Sequence, residues 1–386
     1  MKAILAIDSF KGSCTAYEAG EAVRRGILRA DPSAVVDNVP VADGGEGTVE
    51  AIIGSNNGEW RACQVTGPLG EKVSSGYGVM RNDTAVIEMS LASGLLLIPQ
   101  SRLNPLVTTT YGTGELIKHA LDAGYRKILI GLGGSGTNDG GAGMAQALGV
   151  SFKDINGNEL NFGGAELIRL HTIDTSHIDP RLKECTITCA VDVKNPLCGK
   201  NGAAAVYGPQ KGAQPEMVQV LDHALAHYAK LIDEQCGIHV IDMPGAGSAG
   251  GLGAGLYVFL NAVFQPGIEA VLDIVGFDDR LKDADFVITG EGRLDEQTVN
   301  GKVPVGVARR AKACGNIPVF ALVGSIGSGA EAVYDHGVDG IYSIADGPLT
   351  YSESCGKVKT LLERVAESLA HSVMAIKKTR NQQVVL

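Results

Sequence analysis

A chain of 386 residues is longer than one hydrophobic core usually supports, so two domains are expected. Apolar residues make up 45% and charged residues 20%, a balance that excludes disorder and allows a real core. A net charge of −10 with 5% aromatic residues argues against a nucleic-acid or anionic-membrane partner, and any bound anion must be met by locally gathered cations and N–H groups.

The cysteines Cys14, Cys63, Cys185, Cys189, Cys198, Cys236, Cys314 and Cys355 form no CxxC pair, which speaks against a zinc site and for reduced thiols in a cytoplasmic protein. The start, MKAILAIDSFKG, reads as a strand rather than a signal peptide, and no apolar run reaches membrane-spanning length.

In chain order, residues 3–7 form an apolar strand that ends in Asp8-Ser9-Phe10-Lys11-Gly12-Ser13. A helix is expected over 15–30, with Ala19, Ala22, Val23, Ile27 and Leu28 on one face. A strand over 35–41 ends in Ala42-Asp43-Gly44-Gly45-Glu46-Gly47-Thr48, before a helix to about 53. Residues 60–98 alternate and break at turns like antiparallel β structure. A helix over 111–123 leads to an apolar strand at 128–130, the glycine-rich run 131–143 and a helix at 144–148. A strand over 186–191 precedes Asp192-Val193-Lys194-Asn195-Pro196, and a helix covers 215–236. Strands at 286–289, 319–323 and 341–344 and a closing helix complete the chain. The parallel-type strands 3–7, 35–41, 128–130, 286–289, 319–323 and 341–344 suggest one Rossmann-like sheet assembled from separated pieces, and the β-rich inserts a second domain.

Gly131-Leu132-Gly133-Gly134-Ser135-Gly136 matches GxGxxG after a strand, and Gly245 to Gly250 match it again. A dinucleotide fingerprint should continue into an apolar helix, whereas Thr137-Asn138-Asp139 is polar. A phosphate cradle of backbone N–H groups is the better reading of the first loop, and packing is an equal reading of the second. Neither a P-loop nor the protein-kinase motifs are present. Acids, lysines and glycines instead collect at strand ends: Asp8 and Lys11, Asp43 and Glu46, Asp192 and Asn195, Glu291, Asp295 and Lys302. Phosphoryl transfer needs this mixture: cations and N–H groups for the developing charge, Mg²⁺ on the phosphates, and a carboxylate for the acceptor hydroxyl.

Together the motifs resemble the bacterial type I glycerate kinases nearly end to end: DSFKGS at 8–13, ADGGEGT at 42–48, TGPLGEKV at 66–73, IEMSLASGL at 87–95, NPLVTTTYGTGELI at 104–117, GLGGSGTNDGGAGMAQALG at 131–149, DVKNPLCG at 192–199, GAAAVYGPQKGA at 202–213 and ITGEGRLDEQTVNGKVPVGVA at 288–308. Ile7, Gly136 and Val191 depart from the family's commoner Pro, Ala and Cys, and the tail 350–386 is the least recognisable part. The resemblance implies ATP- and Mg²⁺-dependent phosphorylation of D-glycerate, usually to 2-phosphoglycerate. It also implies an α/β fold of two domains, a discontinuous Rossmann-like one with a mixed α/β one inserted, and the active site in the cleft between. The boundaries expected are 1–60, 105–149 and 270–386 for the first and 61–104 and 150–269 for the second.

On that resemblance, Asp192 is the first choice for the base and Asp8 the second, with Lys11 as a catalytic cation. Ser9, Phe10, Asp43, Gly44, Gly45, Glu46, Asn195, Asp295 and Lys302 are expected around glycerate. Gly133, Gly134, Ser135, Gly136, Thr137, Asn138 and Glu291 are expected around the nucleotide, and Asp192 and Asp139 at Mg²⁺. D-glycerate is the partner implied, with a homo-oligomer left open. An NAD-dependent oxidoreductase and a non-catalytic sugar-acid binding protein are the alternatives.

Overall fold

A computed structural model describes residues 1–45, 47–55 and 58–383, and for Ser55, Asn300 and 379–383 the backbone alone. The strands in chain order are β1 (Lys2–Ile7), β2 (Val35–Asn38), β3 (Glu59–Thr66), β4 (Lys72–Val79), β5 (Thr84–Glu88), β6 (Lys127–Gly131), β7 (Ser151–Lys153), β8 (Thr172–Asp174), β9 (Thr186–Ala190), β10 (Val263–Gln265), β11 (Phe286–Leu294), β12 (Val319–Ile326) and β13 (Gly340–Ser343). The chain divides into two compact units: Met1–Asp43, Glu50–Asn56 and Ile268–Leu386 form the first, Gly44–Val49 and Asn57–Gly267 the second.

The first unit holds a parallel sheet in the order β13-β12-β11-β1-β2. Counted within the unit this is 2-1-3-4-5, a doubly wound order whose switch point lies between β1 and β11. β1 is buried on both faces, as its unbroken apolar sequence requires: Ala3, Leu5 and Ile7 enter one core, and Ile4 and Ala6 are equally buried on the other side. The helix Ala16–Ala30 starts at a capping box, in which Thr15 Oγ1 accepts from Glu18 N and Glu18 Oε2 from Thr15 N, each at 3.2 Å. It packs against the closing helix Tyr351–Gln383. Gly26 permits the close approach, since a Cβ there would lie 2.0 Å from the Glu363 carbonyl oxygen. The tail that resembles the family least is therefore core: Val358, Leu361, Leu362, Ala366 and Leu369 are buried beside β1 and β11.

The second unit holds a mixed sheet, β10-β9-β6-β5-β4-β3, antiparallel from β3 to β5 and parallel from β5 to β10. A separate hairpin pairs β7 with β8. The expectation of one six-stranded Rossmann-like sheet is corrected here. β6 pairs with β5 and β9, not with β1, and residues 105–149 go with it into the second unit. A short apolar run looks the same in either parallel sheet, and only pairing decides. All eight cysteines are free. Among the described residues no helix is long and apolar enough to cross a membrane.

Candidate active site

The carboxyl ends of β1 and β11 carry the densest chemistry of the first unit. Ile7 pairs with Gly290 across the switch point, which puts Asp8 just beyond one strand end and Glu291 beside it. β11 is longer than its sequence suggests and runs on through Gly290, Glu291 and Gly292 to Leu294. Gly290 serves the sheet rather than a turn, because a Cβ there would meet the Leu322 carbonyl oxygen at 2.2 Å. Glu291 thus projects from a strand paired with Val323, which fixes it firmly.

Around these ends lies a cavity of about 700 Å³. Asp8, Lys11, Asp43, Glu291 and Lys302 give it a charged side, with Ser9, Phe10 and Ser325 among them. Burial pushes the Asp8 carboxyl up to about 7; repulsion from Asp43 and Glu291 adds to this, while the Ser9 N–H at 2.6 Å and Lys11 oppose it. Burial likewise lifts Glu291 to about 7, against a 2.7 Å hydrogen bond donated by Thr298 Oγ1 and the charge of Lys302. Among the described residues no carboxylate reaches ion-pair distance of Lys11 or Lys302. Two carboxyls poised near neutrality and two open cations in one cavity make an anion- and proton-handling site.

The cavity gathers Asp8, Ser9, Phe10, Lys11, Asp43, Glu291 and Lys302 from the residues expected by sequence. Asp295 is close in the chain but does not line it. Its carboxylate pairs with Arg293 Nε at 3.2 Å and accepts the Gln297 N–H at 3.1 Å, holding the turn after β11. Glu46 lies outside the described residues.

The remaining expected residues sit in the second unit, where most are turned inward. Gly44 and Gly45 abut the glycines of the 131–136 loop: a Cβ on Gly131 would lie 2.6 Å from Gly44 O, and one on Gly133 2.7 Å from Gly45 Cα. These glycines serve backbone-to-backbone packing. Beyond Gly134 the loop is buried. Ser135 Oγ and Thr137 O each accept from the buried Lys211 ammonium at 2.7 Å, and Gly136 N donates to Ser93 O at 2.9 Å. Asn138 and the Thr137 hydroxyl are fully buried. The side chains of Ser135, Thr137 and Asn138 are thus directed into the second unit, while Gly133 and Gly134 stay partly accessible.

Asp139, expected at Mg²⁺, is closed off in the same way. Its oxygens accept from Thr110 N and Oγ1 at 2.8 Å, Gly141 N at 3.1 Å and Gly143 N at 3.2 Å. It ties the helix Tyr111–Asp122 to the helix Ala142–Ala147. Asn195, expected at the substrate, donates to Asn201 O at 2.8 Å and accepts from Tyr207 Oη at 2.7 Å, so both ends of its amide are used locally. Asp192 Oδ1 accepts from Gly267 N at 2.7 Å beyond the end of β9. The second GxGxxG run is a packing loop, since a Cβ on Gly247 would meet Pro196 O at 2.2 Å and one on Gly250 Thr137 O at 2.0 Å.

Sequence reasoning missed the apolar side of the cavity, formed by Ile344, Leu349, Val358 and Leu361, with Tyr351 and Cys355 nearby. No motif marks these residues. Only the helical spacing of Val358, Leu361 and Leu362 could have pointed to a packed tail.

A doubly wound sheet with acids and lysines at its switch point, and no P-loop, has the charged groups that phosphoryl transfer outside the P-loop class uses. The model of the glycerate kinase family matches residues 3–374, and the chain belongs to that family. A glycerate kinase of Halalkalibacterium halodurans is 50% identical over 95% of this chain and 97% of its own length. The glycerate 2-kinase of Escherichia coli K12 is 50% identical over 89% of this chain and 90% of its own. A Salmonella typhimurium LT2 crystal structure assigned as a glycerate kinase 2 superposes with a TM-score of 0.88 at 46% identity, covering 98% of this chain and 99% of that one. The oxidoreductase and sensor alternatives find no support in these matches.

Proposed function

We propose that the chain transfers the γ-phosphoryl group of MgATP to the 2-hydroxyl of D-glycerate, and that the chemistry takes place in the Asp8–Glu291 cavity. The observation that carries this reading is the meeting of Asp8, Asp43, Glu291, Lys11 and Lys302 around one space, with Asp8 and Glu291 lifted to about 7. The name of the Escherichia coli relative supports the 2-hydroxyl.

Asp8 is the base in this account, a reversal of the order expected from sequence. A carboxylate with a pKa near the working pH accepts a hydroxyl proton best. The glycerate oxygen bonds to the γ-phosphorus as the bond to the β-bridging oxygen breaks; the proton passes to Asp8 and ADP leaves with the electron pair. Lys11 and Ser9 hold the glycerate carboxylate. Lys302 stands by the transferring phosphoryl and offsets its charge.

The residues also fit a magnesium ion. Asp8, Asp43 and Glu291 repel one another electrostatically, a strain that a hard dication relieves. Among the described residues no three acidic, histidine or cysteine side chains form a ready-made metal cage. Mg²⁺ usually takes one or two carboxylates and completes its shell with phosphate oxygens. Asp43 and Glu291 would hold it, and its chemistry there is charge neutralisation on the phosphates. We further read the setting as cytoplasmic, in keeping with the free cysteines.

Phosphorus NMR of the product formed from D-glycerate and ATP tests the reading. 2-Phosphoglycerate is expected; 3-phosphoglycerate would overturn the choice of hydroxyl, and no phosphorylated acid would overturn the activity.

A further inference from the structure

Glycerate does not account for the whole cavity. A volume of about 700 Å³ lies in the range that holds drug-sized ligands, and a three-carbon acid would leave most of it empty. Nor does glycerate account for its chemistry. Beside the charged residues its lining holds an apolar wall of Ile344, Leu349, Val358 and Leu361, from the segment after β13 and the closing helix; Leu349 is half-buried, and Ile344, Val358 and Leu361 show only 3–4% of their surface. An acid with two hydroxyls gains nothing from such a wall, while a flat heteroaromatic base gains by leaving water there. The two sides are continuous in one cavity, so one ligand can reach both.

We propose that this apolar wall is the nucleoside pocket: the adenine of ATP lies against Ile344, Leu349, Val358 and Leu361, and its phosphates run to Lys302. The proposal rests on reading the charged side as the phosphotransfer site. It moves the nucleotide away from the GLGGSG loop, where sequence expectation had put it. The geometry of that loop agrees, because Ser135 and Thr137 are already held by Lys211 and Gly136 N by Ser93. Lys302 suits the phosphates by position: it caps the helix Val303–Gly315, whose first N–H groups and dipole add to its charge. Tyr351 stands exposed on the lining, where its ring can cover the base.

Cys355, on the same lining, reports occupancy without any mutation. The full chain is treated with N-ethylmaleimide, and modification of the Cys355 peptide is followed by mass spectrometry with ADP or D-glycerate present. ADP is expected to slow modification at least tenfold, and D-glycerate to leave it within about twofold. An unchanged rate under ADP at a concentration that inhibits turnover overturns the pocket. As a second measurement, Ala345→Trp fills the cavity from an exposed position and is expected to weaken binding of a fluorescent N-methylanthraniloyl-ADP at least tenfold, while Ser135→Ala leaves it within about twofold. The reverse order overturns the proposal. Phosphoryl transfer to D-glycerate with Cys355 unprotected by ADP sinks the pocket alone. Protection without any transfer supports the pocket and sinks the functional reading instead.

Discussion

The two glycine- and acid-rich regions of this chain use the same residue types to opposite ends. At the β1–β11 switch point, Asp8, Asp43, Glu291, Lys11 and Lys302 face a cavity, and two carboxyls are lifted towards neutrality with protons to exchange. In the second unit, Ser135, Thr137, Asp139 and Lys211 face one another, and their hydrogen bonds are spent on holding loops. The polar residues of a site differ from those of a scaffold in whether their partners are left open. The sequence shows the residues but not the partners.

If that contrast is right, substitutions on the two sides should fail differently. Lys302→Met should cut kcat about 100-fold with little change in melting temperature, since it removes a cation from the transferring phosphoryl. A loss under about fivefold would put that cation outside the site. Asp139→Ala should do the opposite. It strands three backbone N–H groups and a hydroxyl in the core, costing about 2–4 kcal/mol and at least about 5 °C in thermal melting. A melting temperature within about 1 °C of the parent would show that the loop is not held as described.

Lys211 gives a subtler test through pH. Burial lowers its ammonium to about 7, while in the unfolded chain it titrates near the ordinary lysine value of about 10.4. Between these values the unfolded state binds the proton and the folded state does not, so stability rises with pH. Lys211→Met lacks this term. The stability of the parent relative to Lys211→Met should therefore increase from pH 7 towards pH 10, read from thermal melts at each pH. A difference that stays flat, or falls, would mean the buried amine keeps its proton.

How much of this was legible depended on what each feature needs. Asp8, Lys11 and Asp43 could be found because they follow apolar strands in polar turns, and strand ends are where open α/β sheets hold ligands. Glu291 was found but put past the end of its strand. Its glycine neighbours looked like a loop, whereas Gly290 lets β11 pass close to β12. The packing of the GLGGSG loop was not legible, because glycines that admit a phosphate and glycines that admit another backbone look alike; Gly131 and Gly133 are pressed against Gly44 and Gly45. β6 was put in the wrong sheet because its apolar sequence carries no record of its neighbours. The apolar wall of the cavity was invisible, since Val358 and Leu361 read as ordinary helix core and only tertiary packing turns them towards a cavity.

The central claim, that the chemistry belongs to the switch-point cavity and that Asp8 is the base, is tested most directly by kcat/KM for D-glycerate in Asp8→Asn and Asp192→Asn across pH 5 to 9. The parent should lose activity on the acid side as the Asp8 carboxyl gains its proton. Asp8→Asn should fall roughly 10²–10⁴-fold and lose that limb. Asp192→Asn should stay within about tenfold and keep it, because an amide oxygen can still accept the Gly267 N–H. A collapse of Asp192→Asn beside a near-normal Asp8→Asn would contradict the account.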